Sequence, residues 1–336
     1  MKRWCFLFLF LLSACDKQEE PKPDQNFYTF MGINQEIGSH VKSEKDHRNL
    51  YWCEELYGRN QGLQSLAVMS KKIPKVIHFI WLGPKPFPDL SIRNVESWIE
   101  KHPTWKVKLW SDRRRALPHE KMELNLVSDF MFSKLKSCFN ASDNYAEKSD
   151  ILRYEILYQE GGVYVDHDVE CFKAFDSFNE NFDLYCGLEP PHVPILDSSV
   201  SICNNLIGAR ANHPVLGQTM DFVQERWEEV EISYPGKDKE SIIYRILQRT
   251  FSSFEDAIKL VGDQNGNRDI VFPAAYFNQM EEMEPMYAHH QYTTTWFPAE
   301  PSFEKDVGKR LIKICRKNNQ ILFVNGLIPF SYTHLT

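Results

Sequence analysis

The sequence has no excess of basic residues: 39 Lys and Arg stand against 46 Asp and Glu, a formal net charge of -7. A protein that tracks a nucleic-acid backbone needs a basic face, so nucleic acid is excluded as a partner. No Cys-x-x-Cys pair occurs, which argues against a structural zinc site. No apolar run reaches the roughly 20 residues that span a bilayer as a helix, and no internal repeat or low-complexity tract is present. What remains is a chain of 336 residues, 43% hydrophobic and rich in aromatics at 13%. That is enough to bury a sizeable core, and the aromatics serve core packing first and the stacking of flat rings second.

The N-terminus reads as a targeting segment. Lys2 and Arg3 precede an apolar run from Trp4 to Leu12, closed by Leu12-Ser13-Ala14-Cys15. The ending resembles a bacterial lipobox, so residues 1–15 are expected to be a lipoprotein signal peptide with Cys15 as the lipidated residue and membrane anchor. A polar, Pro-containing tether, 16–25, follows. Residues 26–72 read as a helical N-terminal extension, and 73–336 as the main domain. Six cysteines lie beyond the leader, Cys53, Cys138, Cys171, Cys186, Cys203 and Cys315. Export permits disulfides among them, but six cysteines allow 15 pairings and isolated thiols are an equal alternative.

The main domain opens with an α/β pattern. Val76-Ile77-His78-Phe79-Ile80-Trp81-Leu82, bounded by Pro74 and Gly83-Pro84, reads as a buried strand of a parallel sheet. Asp89–His102 has Ile92, Val95 and Ile99 at helical spacing and stops before Pro103. Lys106–Trp110 alternates like a half-buried strand, which completes a βαβ unit and predicts a nucleotide-binding α/β sheet. A second helix is expected over Ser142–Gln159, ended by Gly161-Gly162. Val163-Tyr164-Val165 is then a short strand, with Asp166-His167-Asp168 at its carboxyl end, where ligands bind in open α/β sheets.

Two carboxylates one residue apart can hold Mg²⁺ or Mn²⁺, which prefer oxygen ligands. Alone the pattern is weak, since a chain of this length contains on the order of one Asp-x-Asp by chance. Its context is long and ordered. Ala146-Glu147-Lys148-Ser149-Asp150-Ile151-Leu152-Arg153-Tyr154-Glu155-Ile156-Leu157-Tyr158, then Gly161-Gly162-Val163-Tyr164-Val165-Asp166-His167-Asp168, resembles the DXD-containing sugar transferases. These include initiating mannosyltransferases and the glucosyltransferase domains of large clostridial toxins. The opening Ile-Pro-Lys-Val-Ile-His-Phe-Ile-Trp at Ile73–Trp81 matches at the expected distance upstream.

The resemblance implies a GT-A-like α/β fold with a mixed, mostly parallel central sheet flanked by helices. It implies a hexosyltransferase that uses a UDP- or GDP-sugar donor, a divalent metal cofactor (Mn²⁺ or Mg²⁺), and a glycan or protein acceptor, with retention of configuration. Residue by residue, Asp150 and Arg153 match groups that hold hydroxyls of the donor sugar. Their spacing alone would fit an ordinary surface ion pair. Ile80 and Trp81 fall at the donor-binding end of the first strand, where Trp81 matches an aromatic stacked on the base; a core Trp is the alternative. Tyr164 matches a nucleotide-contacting Tyr, although strand alternation also places it in a core. Asp166 is implied to contact ribose and sugar and Asp168 to coordinate the metal, with both counted as ligands. His167 is expected to point away from that ion. Asn205, in Asn204-Asn205-Leu206-Ile207-Gly208-Ala209, matches a donor- or acceptor-binding position or is a turn residue. His290 is a candidate metal or phosphate partner, and Thr295 and Trp296 are candidate members of a C-terminal lid over the donor.

Two readings compete with transfer. A glycosidase needs carboxyls on opposite sides of a glycosidic bond, which Asp166 and Asp168 at one strand end do not resemble. A non-catalytic surface lipoprotein that binds glycan or nucleotide would resolve the conflict between an exported chain and a cytosolic donor. Delivery to a host cytosol as an effector, or a misread leader, would resolve it too. Intact Asp150, Arg153, Asp166 and Asp168 favour catalysis.

Overall fold

A computed structural model describes residues 25–61, 73–194 and 196–293. The leader, most of the tether, Cys315, and the proposed lid residues Thr295 and Trp296 lie outside them. Helix α1 (Gln25–Phe30) and α2 (Glu44–Gln61) come first. They send Phe27, Met31, Leu50, Leu56 and Tyr57 into the same apolar core as the sheet. Asp46 fixes this arrangement. Its carboxylate accepts the Lys42, Ser43 and Ser199 amides and the Ser198 hydroxyl, joining the start of α2 to a distant loop.

Strand β1 (Val76–Ile80), helix α3 (Asp89–Lys101) and strand β2 (Lys106–Ser111) form the expected βαβ unit. The apolar run outlasts its strand. Gly83, at φ 87°, turns the chain, so Trp81 and Leu82 stay buried after β1 has ended. Then follow β3 (Met122–Leu126), α4 (Lys136–Ala141), α5 (Tyr145–Glu160), β4 (Gly162–Val165), β5 (Val169–Cys171), α6 (Asp176–Asn181), β6 (Leu184–Leu188) and β7 (Ile202–Ala209). Helices α7 (Pro214–Ser233), α8 (Lys239–Ile246) and α9 (Ser252–Val261), with a π-helical turn Leu247–Phe251 between the last two, precede β8 (Asp269–Phe272) and β9 (Ala288–His290).

The seven-stranded sheet has the order β3-β2-β1-β4-β7-β6-β8. All neighbours are parallel except those flanking β7, which runs against both β4 and β6. This is the mixed, mostly parallel sheet anticipated from the sequence. Every residue of β4, β6, β7 and β8 is buried, as expected where a parallel sheet is covered on both faces. Among the described residues, Cys53, Cys138, Cys171, Cys186 and Cys203 are free, buried thiols, so none pairs with another. No described helix is long and apolar enough to cross a membrane.

The joint between α5 and β4 positions the site. Asn144 caps α5 by accepting the Ala146 and Glu147 amides. Glu155, fully buried, accepts three amides from Ser133, Lys134 and Leu135 and locks the helix laterally. Gly161 and Gly162 take φ of 67° and 104°. A Cβ on Gly161 would lie 2.7 Å from the Ala211 nitrogen, and one on Gly162 2.7 Å from the Val76 carbonyl. Only glycine lets helix and strand meet so closely while accepting those torsions.

Candidate active site

Because β1, β4 and β6 run in one direction, their carboxyl ends share one edge, and the expected residues gather there. Arg153 is the pivot. From α5 its Nη2 reaches Asp150 Oδ1 at 2.5 Å and Asp166 Oδ1 at 3.3 Å, and its Nη1 donates to the Asn204 carbonyl at 2.5 Å. The guanidinium also lies 4.2 Å from the centre of the Tyr164 ring. The surface-pair alternative therefore fails: Arg153 is 4% and Asp150 8% exposed. Spacing of three placed both side chains on one face, but α5 is buried on nearly every side. Thr250, in the π-helical turn, donates to the other Asp150 oxygen at 2.6 Å. Burial raises the Asp150 pKa despite Arg153, and the neighbouring carboxylates hold the Arg153 guanidinium firmly charged against its own burial.

Asp166 leaves β4 with its amide donating to the Asn205 carbonyl at 2.8 Å, and it accepts the Tyr164 hydroxyl at 2.5 Å. Tyr164 is thus both a core ring and a partner of the motif. Asn205 is a strand residue of β7, not a turn residue. The Asn204 side chain points elsewhere, donating to the Tyr154 hydroxyl at 3.0 Å.

Asp168 belongs to a different support. β5 and β9 form a two-stranded antiparallel ribbon that sets Val169 opposite His290. His290 Nε2 lies 3.4 Å from Asp168 Oδ1, and the Thr293 amide and hydroxyl each donate to Oδ2 at 2.8 Å. Burial alone would raise the Asp168 pKa; His290 beside it and the Thr293 amide override that and hold it far below the usual carboxylate range. Asp168 in turn raises the His290 pKa against burial. One ligand atom from each of Asp166, Asp168 and His290 falls within 4.8 Å of the others. His290 Nδ1 is buried without a hydrogen-bond partner. Two carboxylates and an imidazole converging in this way fit a divalent cation such as Mn²⁺ or Mg²⁺.

Trp81 walls off the other side. Its Nε1 donates to the Lys85 carbonyl at 2.9 Å, and its ring meets Phe87 and His167 edge-on, with centroids 5.5 and 4.8 Å apart. His167 points away from the carboxylates, its Nδ1 2.7 Å from the Ser91 hydroxyl. Ile80 is buried at 4% exposure at the carboxyl end of β1, paired with Trp110. Sequence reasoning missed Thr250, Thr293, Tyr154 and Asn204 as partners. Tyr154 and Asn204, each adjacent to a named residue, left a trace.

Residues 88–183 match the family described as a glycosyltransferase sugar-binding region containing a DXD motif. Over that stretch the chain is similar to the DXD-motif glycosyltransferases. The matched stretch runs from the residue before α3 to the residue before β6 and includes Asp150, Arg153, Tyr164, Asp166 and Asp168. Among curated relatives, the chain is 26% identical over 234 residues to subversion of eukaryotic traffic protein A of Legionella pneumophila, covering 65% of this chain and 33% of that protein. It is 29% identical over 151 residues to inositol phosphoceramide mannosyltransferase 3 of Schizosaccharomyces pombe, covering 45% and 37%. The chain thus spans about a third of the length of these relatives. Among solved structures, the ligand-free glycosyltransferase domain of the YGT toxin aligns with a TM-score of 0.48 and 10% identity, covering 76% of this chain and 92% of that one.

Proposed function

We propose that the protein is a metal-dependent glycosyltransferase that moves a sugar from a UDP- or GDP-sugar to a hydroxyl of a glycan or protein acceptor, with retention of configuration. The observation that carries this reading is the junction at Asp166. One carboxylate is shared between a buried Asp150–Arg153 clamp and a cluster able to hold a cation. A donor needs this pairing, because its sugar and its diphosphate are adjacent and make opposite demands. The sugar hydroxyls require fixed donors and acceptors, and the diphosphate requires positive charge.

Asp166, Asp168 and His290 would hold the cation, which supplies Lewis-acid neutralisation of the departing nucleoside diphosphate. Arg153 adds a fixed positive charge beside it and donates to sugar oxygens, while Asp150, held by Thr250, accepts from a sugar hydroxyl. Trp81 offers a rigid aromatic surface for the base. With the sugar pinned, the C–O bond to the diphosphate lengthens toward an oxocarbenium-like state, and the acceptor hydroxyl attacks from the side the nucleotide leaves, passing its proton to the departing diphosphate oxygen. The negative charge of Asp150 and Asp166 stabilises that state.

The test is donor hydrolysis by purified protein against a panel of UDP- and GDP-sugars, with and without Mn²⁺, beside Asp168→Ala. Metal-dependent release of one nucleotide, abolished in the variant, is the expected result. Saturable donor binding without turnover would establish the non-catalytic binding protein instead. Neither turnover nor binding would overturn the site.

A further inference from the structure

A row of contacts crosses the carboxyl edge of the sheet. Trp81 touches His167, Asp168 follows in the chain, His290 lies 3.4 Å from Asp168, and the Tyr292 ring sits 3.9 Å from His290. The row continues through the Tyr292 hydroxyl, which donates to Asn278 Oδ1 at 2.9 Å, and Asn278 Nδ2, which donates to the Leu188 carbonyl at 3.2 Å. The next residue is Glu189, at the carboxyl end of β6, a carboxylate that no role above uses. It is tied to the same centre through β7: Cys203 donates its thiol to Glu189 Oε1 at 3.4 Å, and two residues along the strand Asn205 accepts the Asp166 amide.

Glu189 is built in rather than loose. His192, 4% exposed, donates Nδ1–H to the Val193 carbonyl at 2.9 Å and sets Nε2 3.0 Å from Glu189 Oε2. The glutamate side chain keeps 17% of its surface open. A carboxylate offers about four lone-pair positions on two oxygens. Among the described residues Cys203 lies against one oxygen and His192 against the other, so each oxygen keeps capacity for a further donor.

We propose that Glu189, oriented by His192, is the acceptor-binding carboxylate, and that it receives two neighbouring hydroxyls of a cyclic polyol. The proposal rests on the transferase reading above. With the nucleotide against Trp81 and the diphosphate at the cation cluster, the Glu189 end of the row is the flank left for the second substrate. Two oxygens, each with capacity for a further donor, match a vicinal diol, which a sugar ring presents and a serine side chain does not.

The experiment measures how the wild-type protein, Glu189→Gln and Glu189→Asp divide donor sugar between water and an added acceptor. The acceptors are methyl α-mannopyranoside, which bears vicinal diols, and N-acetylserine amide, which bears one hydroxyl. Wild type is expected to glycosylate the mannoside. Glu189→Gln is expected to raise its KM about ten- to a hundredfold, the effect of losing hydrogen bonds to a charged group. Glu189→Asp should recover part of that loss, a rescue that a purely structural glutamate would not show in acceptor KM alone. An unchanged acceptor KM in Glu189→Gln would overturn the proposal. So would transfer to the serine amide in preference to the mannoside, or donor hydrolysis by wild type with no transfer to the mannoside. A wild type that releases no sugar from any donor would instead defeat the transferase reading itself.

Discussion

The two halves of the site are held in opposite ways. Asp150, Arg153 and Tyr164 sit on a buried helix and a central strand, each with partners from a different element: Thr250 for Asp150, and Asn204 and Asp166 for Arg153. Asp168 and His290 sit on a ribbon of two three-residue strands and owe their placement to each other and to Thr293. The first half is rigid by packing and close to neutral by internal pairing. The second pairs one buried carboxylate with an imidazole on a short ribbon, with fewer elements packed around it. The Asp150–Arg153 pair is thus built into the fold, whereas Asp168 and His290 depend on one short ribbon.

Breaking the buried half should do the greatest damage. Arg153→Met leaves Asp150 and Asp166 without their cation, and losing one partner of a buried pair costs about 3–5 kcal/mol. Urea denaturation should show that loss, together with loss of donor turnover. A variant as stable as wild type would refute the pivot role. On the ribbon, His290→Ala should leave the urea midpoint nearly unchanged. It should weaken Mn²⁺ activation by on the order of tenfold to a hundredfold, the scale for disturbing a metal site, measured as the Mn²⁺ concentration giving half-maximal hydrolysis. If that concentration does not move, His290 is not a ligand.

Thr250→Val keeps shape and removes one hydrogen bond to a charged group, about 1.5–3 kcal/mol. Donor-sugar KM should rise about tenfold with nucleotide affinity unaltered, and Thr250→Ser should restore it. Equal weakening of nucleotide and nucleotide-sugar would show that Thr250 supports the helix and not the sugar. The smallest effect concerns the strand beneath both halves. His78 donates Nε2–H to the Gly161 carbonyl and accepts the Trp110 indole N–H at Nδ1, so its neutral form is satisfied. Burial lowers its pKa from 6.5 to about 4. The unfolded chain therefore takes up the proton first, so this contribution to stability is complete above pH about 6.5 and declines as pH falls toward 4. NMR of the imidazole should show His78 neutral throughout that window, and a titration near 6.5 would contradict its packing.

Much of the α/β framework could be read from residue order, because buried parallel strands and amphipathic helices write their periodicity locally. The extents of β1, α3, β2, α5 and β4 differ from expectation by only a few residues. Burial of the Asp150–Arg153 pair could not be read, since spacing gives a common face without saying what covers it. Thr250 is 100 positions from Asp150, and Thr293 is 125 from Asp168. Such contacts are made by tertiary folding and leave no local pattern. Asn205 shows the same limit from the other side: an Asn-Asn pair suggests a turn, but flanking apolar residues carry it through a fully buried strand.

The glycine joint has a further consequence for how the two halves stay in register. Arg153 and Asp166 meet across a connection of a single residue, Gly161, between α5 and β4. An α-helix advances about 1.5 Å and turns about 100° per residue. One residue inserted before Gly161 would therefore swing the clamp a quarter-turn or more from the motif, while every side chain of the site kept its identity. The active site is in this sense a length as much as a set of residues. A chain that conserves all its acids and its arginine but alters that joint would no longer bring Arg153 and Asp166 together.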